Sequence, residues 1–448
     1  MRLGLFINPT GHHQASWRHP EADADAGISF DHYRRMAQLA EHAKFDAIFL
    51  ADNLCVREGP PDFISHVAQY VANFEPITTL SALSVVTKHI GLIATASTSF
   101  NEPFHIARKF ASLDFLSGGR AGWNIVTSGM DIEAYNFGLD GHYEHDFRYD
   151  MAKEFVEVCR GLWDSWDDDA FVRNKATGLF SDAAHKLHQL NHVGEHYKVR
   201  GPLNVPRCPQ GYPLHVQAGS SEAGRSFAAE FGEMIFTTAR NIGDGQKHSQ
   251  DLRERAATFG RNPQHIFLMP GLVPLIGRTE SEAKEKLEYL QSLLPDEIAL
   301  YFLKSRMKGV TVPELHLDDP MPDLPPPSAT GSQGTYLGLM ELIRRERPTV
   351  RQLARLLSGS LSGLPVHGTP TQIADMMQEW FEAGACDGFN IQPPYMPGAF
   401  VDFVDLVIPE LRRRGLIREE YQGTMLRDHF GLPRPESQYK KARETATV

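Results

Sequence analysis

Cysteine is scarce: four in 448 residues, Cys55, Cys159, Cys208 and Cys386, far apart and without a CxxC pair. That spacing excludes a zinc ribbon or a dithiol redox motif and reads as reduced thiols of a cytoplasmic protein. Positive charge is also in deficit. Lys and Arg number 45 against 56 Asp and Glu, a formal net charge of −11, which argues against nucleic acid or an anionic membrane as partner. Long apolar runs are missing, so no membrane span is expected. The opening apolar run Leu3–Ile7 breaks at Pro9, so it does not read as a leader. A Gly-x-Gly-x-x-Gly turn after a strand is absent too, which removes the usual signature of a tightly held dinucleotide.

What is present is a regular alternation of short buried strands and amphipathic helices. Apolar runs over Leu3–Ile7, Asp46–Ala51, His89–Ser97, Ala121–Ser128, Tyr212–Ala218, Glu233–Ala239, His265–Ile276 and Cys386–Gln392 read as eight strands. Helical spacing fills the intervals, for example Phe30–His42, Asp150–Trp166, Gly243–Phe259, Thr279–Leu293 and Ala399–Arg414. This is the pattern of a parallel (β/α)8 TIM barrel. One barrel domain is expected over 1–435, with insertions at about 165–213 and 294–365 and a flexible tail at 436–448. The second insertion is too long for an ordinary connection and carries Pro- and Gly-rich joints (Pro325–Pro327, Thr330–Gly334) around helical pieces.

Barrel enzymes keep their active sites at the carboxyl ends of the strands, so polar residues there are the candidates. The loop after the first strand carries His12, His13, Trp17 and His19. Adjacent histidines without a carboxylate or cysteine set match no metal-ligand spacing, and no metal is expected. The spread of His185, His188, His192 and His196 fails the same test. His13 and Trp17 are candidates for the substrate side. Asp52 ends the second strand, where it either caps a turn or faces a ligand. Thr98 follows the third strand. Asn124 lies inside an apolar run, so its amide either locks the barrel or reaches a polar ligand. Gly219-Ser220-Ser221 opens a helix and offers hydroxyls and free N–H groups to an anion, although an ordinary serine N-cap also explains Ser221. No lysine ends a strand where a Schiff base would form, against an aldolase.

The stretch Gly118-Gly119-Arg120-Ala121-Gly122-Trp123-Asn124-Ile125-Val126-Thr127-Ser128 closely resembles the fourth-strand signature of the bacterial-luciferase-like flavin monooxygenases. Within that family it resembles the branch of nitrilotriacetate monooxygenase component A and the dibenzothiophene-sulfone and dimethylsulfide monooxygenases. His145 to Tyr149, residues 217 to 225 and residues 387 to 392 carry the likeness further, and it extends from the first strand to about Pro435. The resemblance implies FMN, held non-covalently and reduced by a separate NAD(P)H:flavin reductase, which activates O2 to oxygenate a small organic substrate. It implies Asp52, Thr98, Asn124, His145 and Tyr149 beside the flavin and Ser220 and Ser221 on its phosphate. Asn124 and Thr98 are the candidates for polar contacts to the flavin at the point of reaction, with His13 a catalytic candidate from the substrate side, and the resemblance also suggests a homodimer or homotetramer. A deazaflavin-dependent oxidoreductase of the same superfold and a catalytically silent flavin-binding protein are the rival readings.

Overall fold

The computed structural model describes residues 1–440 except 57, 70, 306, 308–312, 326–332 and 360–362. Eight parallel strands form the ring: β1 (Arg2–Phe6), β2 (Ala47–Leu50), β3 (Gly91–Ser97), β4 (Ala121–Val126), β5 (Leu214–Gln217), β6 (Met234–Thr237), β7 (Phe267–Ile276) and β8 (Gly388–Ile391). They pair in that order, and β7 joins both β6 and β8, so the sheet closes with no free edge. The (β/α)8 barrel expected from the sequence is the fold. Buried on both faces, its strands show as nearly unbroken apolar runs.

The register fixes which residues share a level. Followed through β1 to β4, the pairing carries Asn390 to the level of Arg120. Followed the other way, through β7, β6 and β5, it carries Asn390 to the level of Ser128. That stagger of eight residues sets Asn124 at the height of Asn390 on the opposite wall. Phe49 of β2 and Phe236 of β6 complete the layer, their rings meeting with centroids 4.5 Å apart. Phe6 lies edge-on to Phe49, and His12 lies edge-on to Phe6. An aromatic column thus fills the axis below the carboxyl rim.

The amino-terminal end of the barrel is plugged. Leu426, Phe430 and Leu432, on and just after the helix Leu426–Phe430, pack with the inward residues Ile93, Leu214 and Met269. Gly91 makes room for this plug, since a Cβ there would lie 2.3 Å from Leu426 Cδ1. Arg427 beside it is 2% exposed and grips the Glu233 carboxylate with two N–H groups, at 2.7 and 3.0 Å. With this end sealed, ligands have access only at the carboxyl rim.

Several boundaries depart from the sequence reading. The helix expected from Asp150 begins at His145. The last barrel helix is not continuous: Gly398–Asp402 and Ile408–Arg413 flank a wider-wound segment, Phe403–Val407. Pro409, lacking an N–H, removes one rung of the regular ladder. Residues 165–213 hold a short hairpin, His192–Val193 with Lys198–Val199. The stretch 294–365 contains an additional helix, Asp296–Ser305, and ends in a strand, Leu364–Gly368, that pairs with the carboxyl half of β7. Its joints at 306, 308–312, 326–332 and 360–362 lie outside the described residues. Of the expected tail, 441–448 also lie outside them, whereas Gln438 donates its N–H to Asp164 and Tyr439 stacks on His188. Among the described residues no helix is long and apolar enough to cross a membrane.

Candidate active site at the carboxyl rim

The candidate residues fall into three adjoining groups on the rim. The first joins β2, β3 and β4. Asn124 Nδ2 donates to Thr95 Oγ1 (2.9 Å), whose own hydroxyl donates to Leu50 O (2.9 Å). Because that hydroxyl proton is already committed, Thr95 can only accept from Asn124. This fixes the amide with Oδ1 facing away, buried and without a donor among the described residues. Thr98 is buried and donates both N–H and hydroxyl to Val126 O, at 2.9 and 3.3 Å. Its side chain stitches β3 to β4.

Asp52 sits just past β2. Burial drives its carboxyl up to about 6, with the charges of Glu75 and Glu133 adding to the effect. Both neighbours are held as acceptors. Glu75 takes N–H bonds from Ile77 and Thr78. Glu133 takes them from Leu54, Gly129 and Met130. Asp52 therefore lies beside two carboxylates whose oxygens are engaged by backbone N–H groups. The native state binds the Asp52 proton more tightly than the unfolded chain, so stability is lost as pH rises from about 4 to 6 and the deficit is complete above. Asp52→Asn is expected to raise stability by about 1–3 kcal/mol at pH 8 and to change nothing near pH 3. Melting curves at both pH values check this, and an equal gain at each would contradict it.

The second group lies beside β5. Tyr149 is buried, packs at a tilt on Phe227 with ring centroids 5.8 Å apart and meets the His145 ring at 5.2 Å. Its hydroxyl lies against the Gly219 turn: a Cβ at Gly219 or Gly224 would be 2.7 or 2.8 Å from Tyr149 Oη. Glycine at both positions keeps the turn and the helix start in close approach. Ser221 N-caps the helix Glu222–Phe231, its Oγ accepting from Gly224 N at 3.1 Å, while Ser220 is exposed. Arg225 does not turn back to this loop, since it pairs with Glu222 and Asp251 on the helix side. His145 is about half exposed, with Nδ1 2.8 Å from the Asp146 carboxylate. Arg148, on the same helix, donates to Ser128 O at 2.5 Å and so ties this group to the loop after β4.

The third group is the loop after β1 with the 294–365 excursion above it. Ala15, Phe63 and Val67 from the barrel loops join Leu303, Ile343 and Leu353 of the excursion in a second apolar cluster. Gln14 donates its N–H to Ser358 O, and Arg18 hydrogen-bonds Leu293 O. His13 is buried beneath Gly359, whose Cβ would lie 3.6 Å from its Cδ2. Ala15 N donates to His13 Nδ1 at 3.1 Å, so in the neutral ring the proton sits on Nε2, which has no acceptor among the described residues. Burial pushes this imidazole down to about 3, so it stays a neutral donor at every working pH. Trp17 is half-buried and donates its indole N–H to His66 O at 3.0 Å.

Sequence reasoning passed over Glu133, Arg148 and Asn390. Glu133 is 4% exposed in a short helix, Asp131–Tyr135, and binds the loops after β2 and β4 together. A Gly-Met-Asp-x-Glu sequence after a strand was its only available signal. A cleft of about 520 Å³ between the loop after β3 and residues 137–143, walled by the stacked Phe100 and Phe137, opens beside these groups.

Comparison with known proteins agrees with this geometry. Residues 1–387 match the model of the luciferase-like monooxygenases. The chain is 48% identical to N-acetyl-S-(2-succino)cysteine monooxygenase of Bacillus subtilis (strain 168), covering 98% of each. It is 44% identical to nitrilotriacetate monooxygenase component A of Aminobacter aminovorans, again over 98% of each. The solved EDTA monooxygenase EmoA from Chelativorans sp. BNC1 superposes with a TM-score of 0.80 at 35% identity, covering 97% of this chain and 99% of that one. With matches of this extent over a closed (β/α)8 barrel, the chain belongs to the luciferase-like monooxygenase family.

Proposed function

We propose that this enzyme is the oxygenating component of a two-component system, using reduced FMN made by a separate NAD(P)H:flavin reductase together with O2. The observation that carries the reading is the pairing of two features on one rim. One is the Gly219–Ser221 turn at a helix start, held so close to Tyr149 Oη that a Cβ on Gly219 would lie 2.7 Å from it, and the other is a fixed amide oxygen at Asn124 without a donor among the described residues. A phosphate suits the first, because N–H groups at a helix start and the Ser220 and Ser221 hydroxyls favour an anion. A polar ring system suits the second. Reduced FMN would supply the electron pair that lets one atom of O2 enter the substrate and the other leave as water.

The protein's own part is binding and exclusion. Tyr149 and His145 hold the approach to the phosphate seat. Asp52, Thr98 and Asn124 line the polar wall, and Asp52 carries a proton below about pH 6. His13 offers its N–H to an oxygen of the substrate, with Trp17 beside it. The excursion roofs these residues and keeps water out.

The substrate is a small organic molecule. Relatives named for an N-acetylated succinocysteine and for nitrilotriacetate act on polycarboxylates, one of them a thioether. A neutral donor at His13 fits a carboxylate or sulfone oxygen better than a plain alkyl chain. The deciding experiment supplies a generic flavin reductase, NADH and ¹⁸O2, and screens sulfones, sulfides and aminopolycarboxylates for label. Label in product that requires both reductase and FMN supports the reading, and turnover with a deazaflavin but not FMN would replace it. In the same preparation, Ser221→Ala is expected to weaken FMN binding by about 1–3 kcal/mol, read by titration. Unchanged affinity would remove the phosphate assignment.

A further inference from the structure

Arg148 is a half-buried cation that has no counter-ion among the described residues. It stands in the first turns of the helix His145–Trp163. Its neighbour Tyr149 faces the Gly219 turn, whereas Arg148 faces the loop after β4 and donates to Ser128 O at 2.5 Å. That is its one hydrogen bond among the described residues, and its Nε–H is buried without an acceptor. Glu133, Asp131 and Glu144 act on it from a distance without forming an ion pair, and burial outweighs them, holding the guanidinium below its ordinary range. The nearest in role, Glu133, is already engaged by the N–H groups of Leu54, Gly129 and Met130. A cation drawn out of water without a partner is costly, so an arginine kept there indicates that its anion arrives with a ligand.

The space beside this guanidinium is open. Gly129 is exposed, and a Cβ there would meet only Arg148 Nη1, 3.7 Å away. The His142 ring feels the Arg148 charge and packs on Phe100 with centroids 5.0 Å apart, so Arg148 adjoins the cleft of about 520 Å³. Phe100, Phe137 and Tyr143 give that cleft apolar walls. Lys109 and His105, one turn apart on the helix Pro103–Ser117, enter its lining without a carboxylate partner among the described residues, against a single acid, Glu102. Of the two anions a flavin monooxygenase could receive here, the phosphate has its own turn at Gly219–Ser221, on the side that Tyr149 faces. We propose that Arg148 binds a carboxylate of the substrate, and that the substrate is an organic acid whose apolar part lies against the aromatic walls of the cleft. A guanidinium suits this role, because two of its N–H groups can meet both oxygens of one carboxylate. The proposal rests on the flavin reading above for the reaction and deepens it by naming the substrate class and the residue that selects it.

The test is calorimetric titration of the FMN-loaded protein and of the apoprotein with two aryl thioether acids, phenylthioacetate and 2-(phenylthio)succinate, each beside its methyl ester. The wild type is expected to bind the acids at least about tenfold more tightly than the esters. Arg148→Gln is expected to lose about tenfold for the acids and less than about threefold for the esters, with the ratio of FMN to riboflavin affinity unchanged. Arg148→Lys, which keeps the charge but not the fork, should fall between the two. Raising salt from about 0.05 to about 0.5 M should weaken acid binding to the wild type and leave ester binding alone, a measurement that needs no variant to fold. Equal losses for acid and ester would mean that Arg148 only ties its loop, and a selective loss of FMN against riboflavin would give the guanidinium to the phosphate; either result overturns the proposal. So does a wild type that prefers the esters, treats both alike or binds neither. Protein that holds no FMN yet keeps its preference for the acids overturns the flavin reading and leaves the assignment of Arg148 standing.

Discussion

Arg427→Met is expected to destabilise the protein by about 3–5 kcal/mol, the largest effect of any single substitution considered. Arg427 and Glu233 form a paired charge beneath the barrel, at 2% and 14% side-chain exposure. Burial alone would raise the Glu233 carboxyl, but the Arg427 guanidinium overrides it and holds the group at about 2. Without the arginine, the carboxylate stays in the same low-polarity surroundings with the His215 N–H, at 3.1 Å, in place of a charged partner. The guanidinium also donates to Tyr212 O at 3.2 Å, so the plug loses more than one side-chain anchor, while the backbone N–H bond to Gln210 Oε1 is kept. A depressed carboxyl stabilises above its ordinary value near 4.5 and loses that contribution as pH falls toward 2. The deficit of the variant should therefore be full at pH 7 and shrink in acid. Urea midpoints at pH 7 and pH 3 check both points, and a deficit that stays constant with pH would show that packing rather than charge is at work.

Glu133→Ala is expected to have the largest effect on the site itself. One carboxylate receives three backbone N–H groups from two loops, with Ser128 Oγ donating at 3.4 Å. Removing it strands three donors at about 1 kcal/mol each, a loss of roughly 3 kcal/mol spread over the loops after β2 and β4. Those loops carry Asp52 and follow Asn124, so FMN affinity is expected to fall at least about tenfold, as a loss of preorganised geometry would produce. Amide exchange at Leu54, Gly129 and Met130 should quicken in the same variant. Unaltered exchange at these three amides would mean that the loops hold without the carboxylate. Glu133→Gln, which keeps one acceptor, should fall between the two.

The barrel was legible because buried parallel strands write themselves as short apolar runs, and all eight are where those runs stand. The places of Tyr149 and Ser221 were also legible, the one in the first turns of a helix and the other as the N-cap at a strand-to-helix turn. The misses share a cause. The strand Leu364–Gly368 is half-exposed and contains Pro365, so its pattern is weak, and it exists because the long β7 offers a partner. Pro409 sits inside an otherwise regular helical pattern, and its effect on winding needed the backbone to be seen. Glu133 has only the weak signal of its Gly-Met-Asp-x-Glu run and Asn390 has none, because their places are set by contacts with Leu54 and by a barrel level shared with Asn124. Such roles are set by register, which no short window of sequence contains.

Closing the ring requires Gly4 to pair with Asn390. During synthesis, the edge of β1 that receives β8 must wait for nearly four hundred further residues. An edge left open for that long invites pairing with other chains, and a topology dominated by distant contacts folds slowly. Yield in a heterologous host should therefore depend on chaperone supply and growth temperature more than on the thermodynamic stability of the finished enzyme.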